Sequence, residues 1–282
     1  MKFNKIILAI AGLLVLVGAV ISGVAICLGA AMPENRTLQT QTADGSISTI
    51  HISINADDIR IVSADTDVIT VTYYTGKTKQ YDFHTEGGLL SLESVATDKL
   101  NLKWYDHINF DLNDKDNRIT VELPRNLRAD LIVDSRYGDI DLSDVTGSLQ
   151  ITAKCGDIDV NRCTFSTLVC DADYGDVDVE QTTAETIHIT NNCGDIDVTD
   201  VSGNISVFCD YGDIDIEKIT ANHINLENNC GDIECTILGS ETDYTITAET
   251  RRGDQNIRNR TGGDNTLAAK TALGDISIKF LR

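Results

Sequence analysis

Basic residues are scarce in this chain: 23 Lys and Arg stand against 44 Asp and Glu, a formal net charge of −21. A surface that acidic repels phosphate backbones, which excludes a nucleic-acid-binding protein. Proline is nearly absent, with 2 in 282 residues, and 41% of the chain is apolar, so neither a disordered nor a collagen-like chain fits. The five histidines (His51, His84, His107, His188 and His223) are scattered, with no nucleophile or metal-ligand spacing around them. No Cys-x-x-Cys occurs among the eight cysteines.

Charge is missing altogether from residues 6–32, which are Leu, Ile, Val, Ala and Gly almost throughout. As a helix this stretch would be about 40 Å long, enough to cross a bilayer with some tilt. Lys2 and Lys5 precede it, and Glu34 and Arg36 cancel behind it. The positive-inside rule then puts residues 1–5 in the cytoplasm and the remainder of the chain outside. The competing reading is a cleaved signal peptide with Gly29-Ala30-Ala31 at its end, but the apolar run is far longer than a signal's. Ile26 before Cys27 does not fit a lipobox. A retained single-pass anchor is expected, followed by a polar linker at 33–43.

What the second half has in abundance is a repeat. Gly-Asp recurs with Gly138, Gly156, Gly175, Gly194, Gly212, Gly231, Gly253 and Gly274, at intervals of 18, 19, 19, 18, 19, 22 and 21 residues. Aligned on it, units such as LQITAKCGDIDV, LVCDADYGDVDV and IHITNNCGDIDV each hold two short alternating segments. In the second unit Leu149, Ile151, Ala153 and Cys155 share one face; the same parity would carry Asp157 inward and Ile158 outward. The hydrophobic pattern demands the reverse, so the chain must turn at the glycine. A second corner falls in stretches such as SDVTGS.

Two strands and two corners per unit predict an all-β chain, a β-solenoid with two short strands per 18–19-residue coil behind one N-terminal transmembrane helix. Eight coils at strand spacing make a rod on the order of 40 Å long over 131–282. Residues 44–130 are also strand-like, without a clear repeat, and are expected to form an irregular cap, with Trp104, Tyr105 and Phe110 supplying bulk. The residue before Gly-Asp alternates as Tyr137, Cys155, Tyr174, Cys193, Tyr211 and Cys230, large and small by turns up the stack.

The run RITVELPRNLRADLIVDSRYGDIDL, followed by repeated GDIDV units behind one anchor, resembles a bacterial extracytoplasmic β-strand-repeat family. Its members carry the label "putative adhesin", and related domains are called toastrack domains. The resemblance spans roughly 45–282 and implies envelope-associated β-solenoids, some linked to envelope-stress systems. It implies no catalytic residues.

The conspicuous chemistry is acidic. Asp139/Asp141, Asp157/Asp159, Asp176/Asp178, Asp195/Asp197 and Asp213/Asp215 recur at equivalent positions, followed by Asp232/Glu234. With the intervening Ile or Val inward, they form two outward columns of like charge, which a calcium ion would relieve. The simpler reading is that the first Asp bonds the backbone of its corner and the second is solvated; the GGxGxDxUx nonapeptide of calcium-binding β-rolls is absent. Cys163/Cys170 or Cys230/Cys235 could pair across a corner, although most cysteines read as small buried residues. Arg252-Gly253-Asp254 spells the integrin tripeptide, yet the repeat already accounts for Gly253 and Asp254.

Charge is also uneven along the chain. Residues 131–244 hold 24 acidic and 4 basic side chains, whereas 245–282 hold 4 and 7. Lys270, Lys279 and Arg282 would protect the terminal strand edge from aggregation, or dock a basic tip on an anionic wall polymer or partner.

The expected function is non-enzymatic: an adhesin-like surface binding or scaffold module with an envelope polymer, glycan or protein ligand. The alternative is an accessory or sensor of an envelope-stress signalling system. A third, cation-dependent polysaccharide-active enzyme is disfavoured, because such short coils leave no room for long catalytic loops.

Overall fold

In a computed structural model, residues 36–44, 46–96 and 117–281 are described. The predicted anchor at 6–32, Cys27, His107 and the capping aromatics Trp104, Tyr105 and Phe110 lie outside the described residues. Among the described residues every long element is a strand. The first part of the chain supplies β1 (Thr37–Ala43), β2 (Thr49–Ile54), β3 (Asp58–Ala64), β4 (Ile69–Thr75), β5 (Tyr81–Glu86), β6 (Leu89–Ser94) and β7 (Arg118–Pro124). The repeats supply β8 (Ala129–Ser135), β9 (Ile140–Ser143), β10 (Thr146–Ala153), β11 (Ile158–Asn161), β12 (Thr164–Tyr174), β13 (Val177–Glu180), β14 (Thr183–Cys193) and β15 (Ile196–Thr199). They continue with β16 (Ser202–Tyr211), β17 (Ile214–Ile219), β18 (His223–Cys230), β19 (Ile233–Leu238), β20 (Tyr244–Thr250), β21 (Asn265–Leu273) and β22 (Ile276–Leu281).

These strands form two 11-stranded sheets. In every repeat but the seventh the longer strand before Gly-Asp joins one sheet and the short strand after it joins the other, so the chain passes from sheet to sheet at the glycine. Neighbouring repeats pair in parallel and in register, as Ile158 with Val177 and Asp159 with Asp178, or Leu168 with Ile187 and Cys170 with Ile189. Both inner faces are aliphatic columns. Leu149, Leu168, Ile187, Ile205 and Ile224 stack in one sheet and Ile158, Val177, Ile196, Ile214 and Ile233 in the other, all buried. Period-2 burial with Ile, Val and Thr in excess is what makes these segments strands. Each buried aliphatic side chain contributes about 1.5–3 kcal/mol.

The second corner of each coil is tighter than its sequence suggests. Asp144, Arg162, Gln181, Asp200 and Lys218 occupy equivalent places with φ between 48° and 61°, a left-handed conformation held by non-glycine residues. The amides of the first four donate to carbonyls of the adjacent coil, as Asp144 N does to Asn161 O at 3.1 Å and Arg162 N to Glu180 O at 3.1 Å. The next residue turns inward, giving a buried corner column of Val145, Cys163, Thr182, Val201 and Ile219.

Spatial order departs from sequence order at both ends. β21 pairs with β18, and β20 lies outside β21. The eighth repeat is therefore inserted between the sixth and the seventh, and the seventh forms the tip, in place of the expected simple succession. At the other end β2 and β3 sit between β8/β9 and β6/β7, so the earliest coil is again internal. Residues expected as an irregular cap thus contain two regular parallel coils. The cap is narrower: β1, β4 and β5 run antiparallel to their neighbours and end the stack. β1 also occupies most of the stretch read as a linker, because its Thr-rich segment finds a partner in β4.

Candidate functional site

The Gly-Asp edge is where chemistry is concentrated, and its geometry starts with close backbone approach. Gly194 has φ +138°, and a Cβ built there would lie 2.1 Å from the carbonyl oxygen of Gly175 in the coil beneath. The same contact recurs from Gly138 to Gly274, so a Cβ at any of these eight glycines would meet the carbonyl of the neighbouring coil. It also reports the true order of coils: Gly274 meets Gly231, and Gly253 meets Gly274. Gly138 rests on Asp57, and Asp57-Asp58 stands where earlier repeats would place Gly-Asp.

The first aspartate of each unit makes a bond that sequence reasoning assigned to the wrong coil. It reaches the next coil instead of its own corner. Asp139 Oδ1 accepts from Asp157 N at 3.0 Å, Asp157 from Asp176 N at 2.9 Å, Asp176 from Asp195 N at 2.8 Å and Asp195 from Asp213 N at 2.8 Å. Asp58 begins this ladder with Asp139 N, and Asp213, Asp232 and Asp275 carry it to Asp254 N at the tip. A carboxylate accepting a backbone N–H is a charge-assisted bond, and each closes an amide the corner would leave to water. Arg252-Gly253-Asp254 is the final step of this ladder.

Beneath the glycines runs a second ladder that the sequence did not announce. Asn191 Nδ2 donates to Gly175 O and Asn228 Nδ2 to Gly212 O, both at 2.8 Å, while Thr271 Oγ1 donates to Gly231 O at 3.0 Å and Thr250 Oγ1 to Gly274 O at 2.9 Å. Cys209 fills the same column against Gly194 O. All seven described cysteines are free, so neither Cys163/Cys170 nor Cys230/Cys235 is bridged. Burial pushes the thiols of Cys163 and Cys209 up to about 11 and those of Cys170 and Cys235 up to about 12, which keeps them protonated and inert at neutral pH.

The second aspartates form a separate column on the outer face of the short strands, with Asp141, Asp159, Asp178, Asp197, Asp215 and Glu234 directly opposite one another. Partial burial, then the charges of neighbouring carboxylates, raises Asp159, Asp197 and Asp215, and lifts Asp178 to about 6. The ten aspartates offered for calcium do not converge. Among the described residues no three His, Cys, Asp or Glu side chains come together in a way that could hold a metal ion. The reason is geometric: the ladder fixes one oxygen of each first aspartate on an amide, and the second aspartates project from a different line.

Of the alternating residues before Gly-Asp, strand parity predicts that Cys155 faces inward with Ala153. Instead the whole row lies on the outside of the edge, because the glycine corner begins one residue earlier than strand parity implies. Tyr137, Tyr174 and Tyr211 are 53%, 60% and 58% exposed, and Cys155, Cys193 and Cys230 between them are half-buried. Lys270 is not at an edge; it sits on β21 with Glu227 and Glu249 beside it in register, whereas Lys279 is on the edge strand β22.

One polar cluster escaped the sequence reading. Asp57 is buried near the N-terminal end, bonded to Lys79 Nζ and to the Tyr81 hydroxyl. Burial, reinforced by the Asp57 charge, moves the Tyr81 phenol far above its usual range. The available signal was the Asp57-Asp58-Ile59 run, a Gly-Asp-Ile corner with its glycine replaced. The described histidines do not gather: His51 contacts Asp134, His84 contacts Glu86 and His223 contacts Thr266.

The two sheets, the glycine edge and the aspartate ladder define an all-β protein of stacked parallel repeats. The chain belongs to the Toastrack DUF4097 family, whose model matches residues 47–279. No curated protein sequence matches it. Among solved structures it is similar to a "putative adhesin" of Bacteroides fragilis, at 16% identity over 86% of this chain and 97% of that one, with a TM-score of 0.50. It is similar also to a "putative lipid binding protein" of Parabacteroides distasonis, at 14% identity over 88% and 98%, again with a TM-score of 0.50. At these identities the likeness is one of fold.

Proposed function

We propose that this chain is a membrane-anchored, extracytoplasmic β-solenoid that serves as an adhesin-like surface binding or scaffold module. Residues 6–32 would hold it in the membrane with residues 1–5 in the cytoplasm, and the stacked repeats would stand outside. The observation that carries this reading is the long regular edge of the stack. It repeats glycine and aspartate at every rung and alternates tyrosine with cysteine beside them, a surface suited to extended contact. Its family membership and its fold likeness to the Bacteroides fragilis protein support the same class of role.

Two measurements test it. Protease added to intact cells should digest the repeat region and spare an N-terminal tag; protection of the repeats would overturn the topology. Full-length chain in detergent should bind members of a glycan and matrix-protein array, and binding to none would overturn the surface-binding role.

A further inference from the structure

We propose that the tyrosine row on the glycine edge is a track for an unbranched, uncharged β-1,4-linked glycan lying along the stack; this rests on the surface-binding reading above. Tyr174 pairs across to Cys193 and Cys193 to Tyr211, so the tyrosines recur at every second rung. Tyr137 holds the same relation to Tyr174 through Cys155, whose carbonyl accepts from Gly138 N. With rungs about 4.8 Å apart, the rings follow one another at about 9.6 Å. The cysteines between them are too small to cover the rings, and no ring contact links the three tyrosines.

A β-1,4-linked pyranose chain is extended, and each sugar is flipped relative to the last, so the same ring face returns at every second sugar. That repeat is close to the tyrosine spacing, and an α-1,4 chain, which coils, loses it. Tyrosine supplies a flat apolar face with a polar tip, the surface on which the C–H face of a pyranose stacks. Hydrogen-bonding groups line both sides. Asn192 donates to Asp173 at 2.8 Å and Asn229 to Asp210 at 2.6 Å in the row before the tyrosines. On the other side the exposed ladder aspartates use Oδ1 in the ladder, which leaves Oδ2 to accept a sugar hydroxyl. Residues 131–244, with 24 acidic and 4 basic side chains, repel uronate, sulfate and phosphate polymers, which selects an uncharged chain.

The test uses full-length protein in detergent, titrated calorimetrically with cellohexaose and chitohexaose, with maltohexaose and oligogalacturonate as controls. One or both β-1,4 hexamers should bind and the controls should not. Tyr174→Ala should weaken binding about tenfold, and Tyr174→Phe should keep it within about threefold. Replacing all three tyrosines with Ala should abolish it while leaving the melting temperature unchanged. Saturation-transfer NMR on the unmodified protein should place the sugar C–H protons against aromatic protons, a readout that needs no variant. The proposal is overturned if neither hexamer binds, if binding survives the triple replacement, or if maltohexaose binds equally well. Array binding to a protein or to another glycan, without hexamer binding, would sink the track and spare the surface-binding reading; silence on the whole array would sink both.

Discussion

The middle of the stack and its two ends obey different rules. From β8 to β19 each repeat lies on the one before it, the intervals are 18 or 19 residues, and the short strands pair in one repeated register through most of the shaft. At the ends the chain doubles back, placing its eighth repeat inside its seventh and its earliest coil inside a later one. Regularity lets a rod be long, and irregularity lets it stop. At the tip, Ile257 is buried, Asn259 Oδ1 accepts from Ala248 N at 2.7 Å, and Arg260 N donates to Ile246 O at 3.0 Å, so the segment after Gly253 covers the edge of β20. At the base, antiparallel β1 and β5 are the terminal strands.

Glycine replacement breaks this contrast most sharply. Gly194→Ala places a Cβ against Gly175 O in the middle of the stack and should cost about 3 kcal/mol or more, read as an early urea midpoint. Gly253→Ala makes the same clash against Gly274 O, but the tip can peel away. It should speed hydrogen exchange in β20 and leave β14 protected; equal loss of protection in both strands would show that the ends and middle unfold as one.

The next effect belongs to the base. Asp57→Ala removes the buried carboxylate shared by Lys79 and Tyr81 and should cost about 3 kcal/mol, with the loss of protection centred on β3 and β5. A third, smaller effect tests the aspartate ladder. Asp176→Ala should cost about 1 kcal/mol in a thermal melt because the Asp195 amide loses its acceptor, and Asp176→Asn, which restores an oxygen, should recover most of it. If Asn recovers nothing, the carboxylate's charge matters more than its geometry.

The smallest effect concerns pH and the second aspartate column. Asp159, Asp197 and Asp215 have folded pKa values raised above their unfolded ones, and Asp178 is lifted to about 6. The folded state therefore binds more protons than the unfolded state in this window, so stability falls as pH rises through about 6 and is regained on acidification toward 5. The melting temperature should be modestly higher at pH 5.5 than at pH 7.5, and Asp178→Asn should shrink the difference.

What the sequence made legible was whatever repeats. The Gly-Asp spacing, the inward aliphatics and the outward carboxylates could be read because each occurs many times in the same place. The order of the coils was not legible, since the sixth, seventh and eighth repeats present nearly equivalent edges, and nothing local to a strand names its neighbour. The left-handed corner at Asp144, Arg162, Gln181, Asp200 and Lys218 was hidden because no glycine marks it. Asn191 and Asn228 were hidden because a polar residue in a polar-looking tripeptide reads as exposed, and only the coil beneath supplies the carbonyl that brings it inside. The direction of the first aspartate's bond was lost for the same reason, being a property of two coils and not of one.

The inversion at each extremity also bears on how such a molecule can change length. Tandem duplication of a unit between β10 and β19 adds a rung where both surfaces are already self-complementary, and the doubled-back termini never meet a new neighbour. A lineage can therefore lengthen or shorten the shaft in steps of one rung while inheriting both stoppers intact. A gain or loss at either extremity would instead expose an open edge to other copies of the chain.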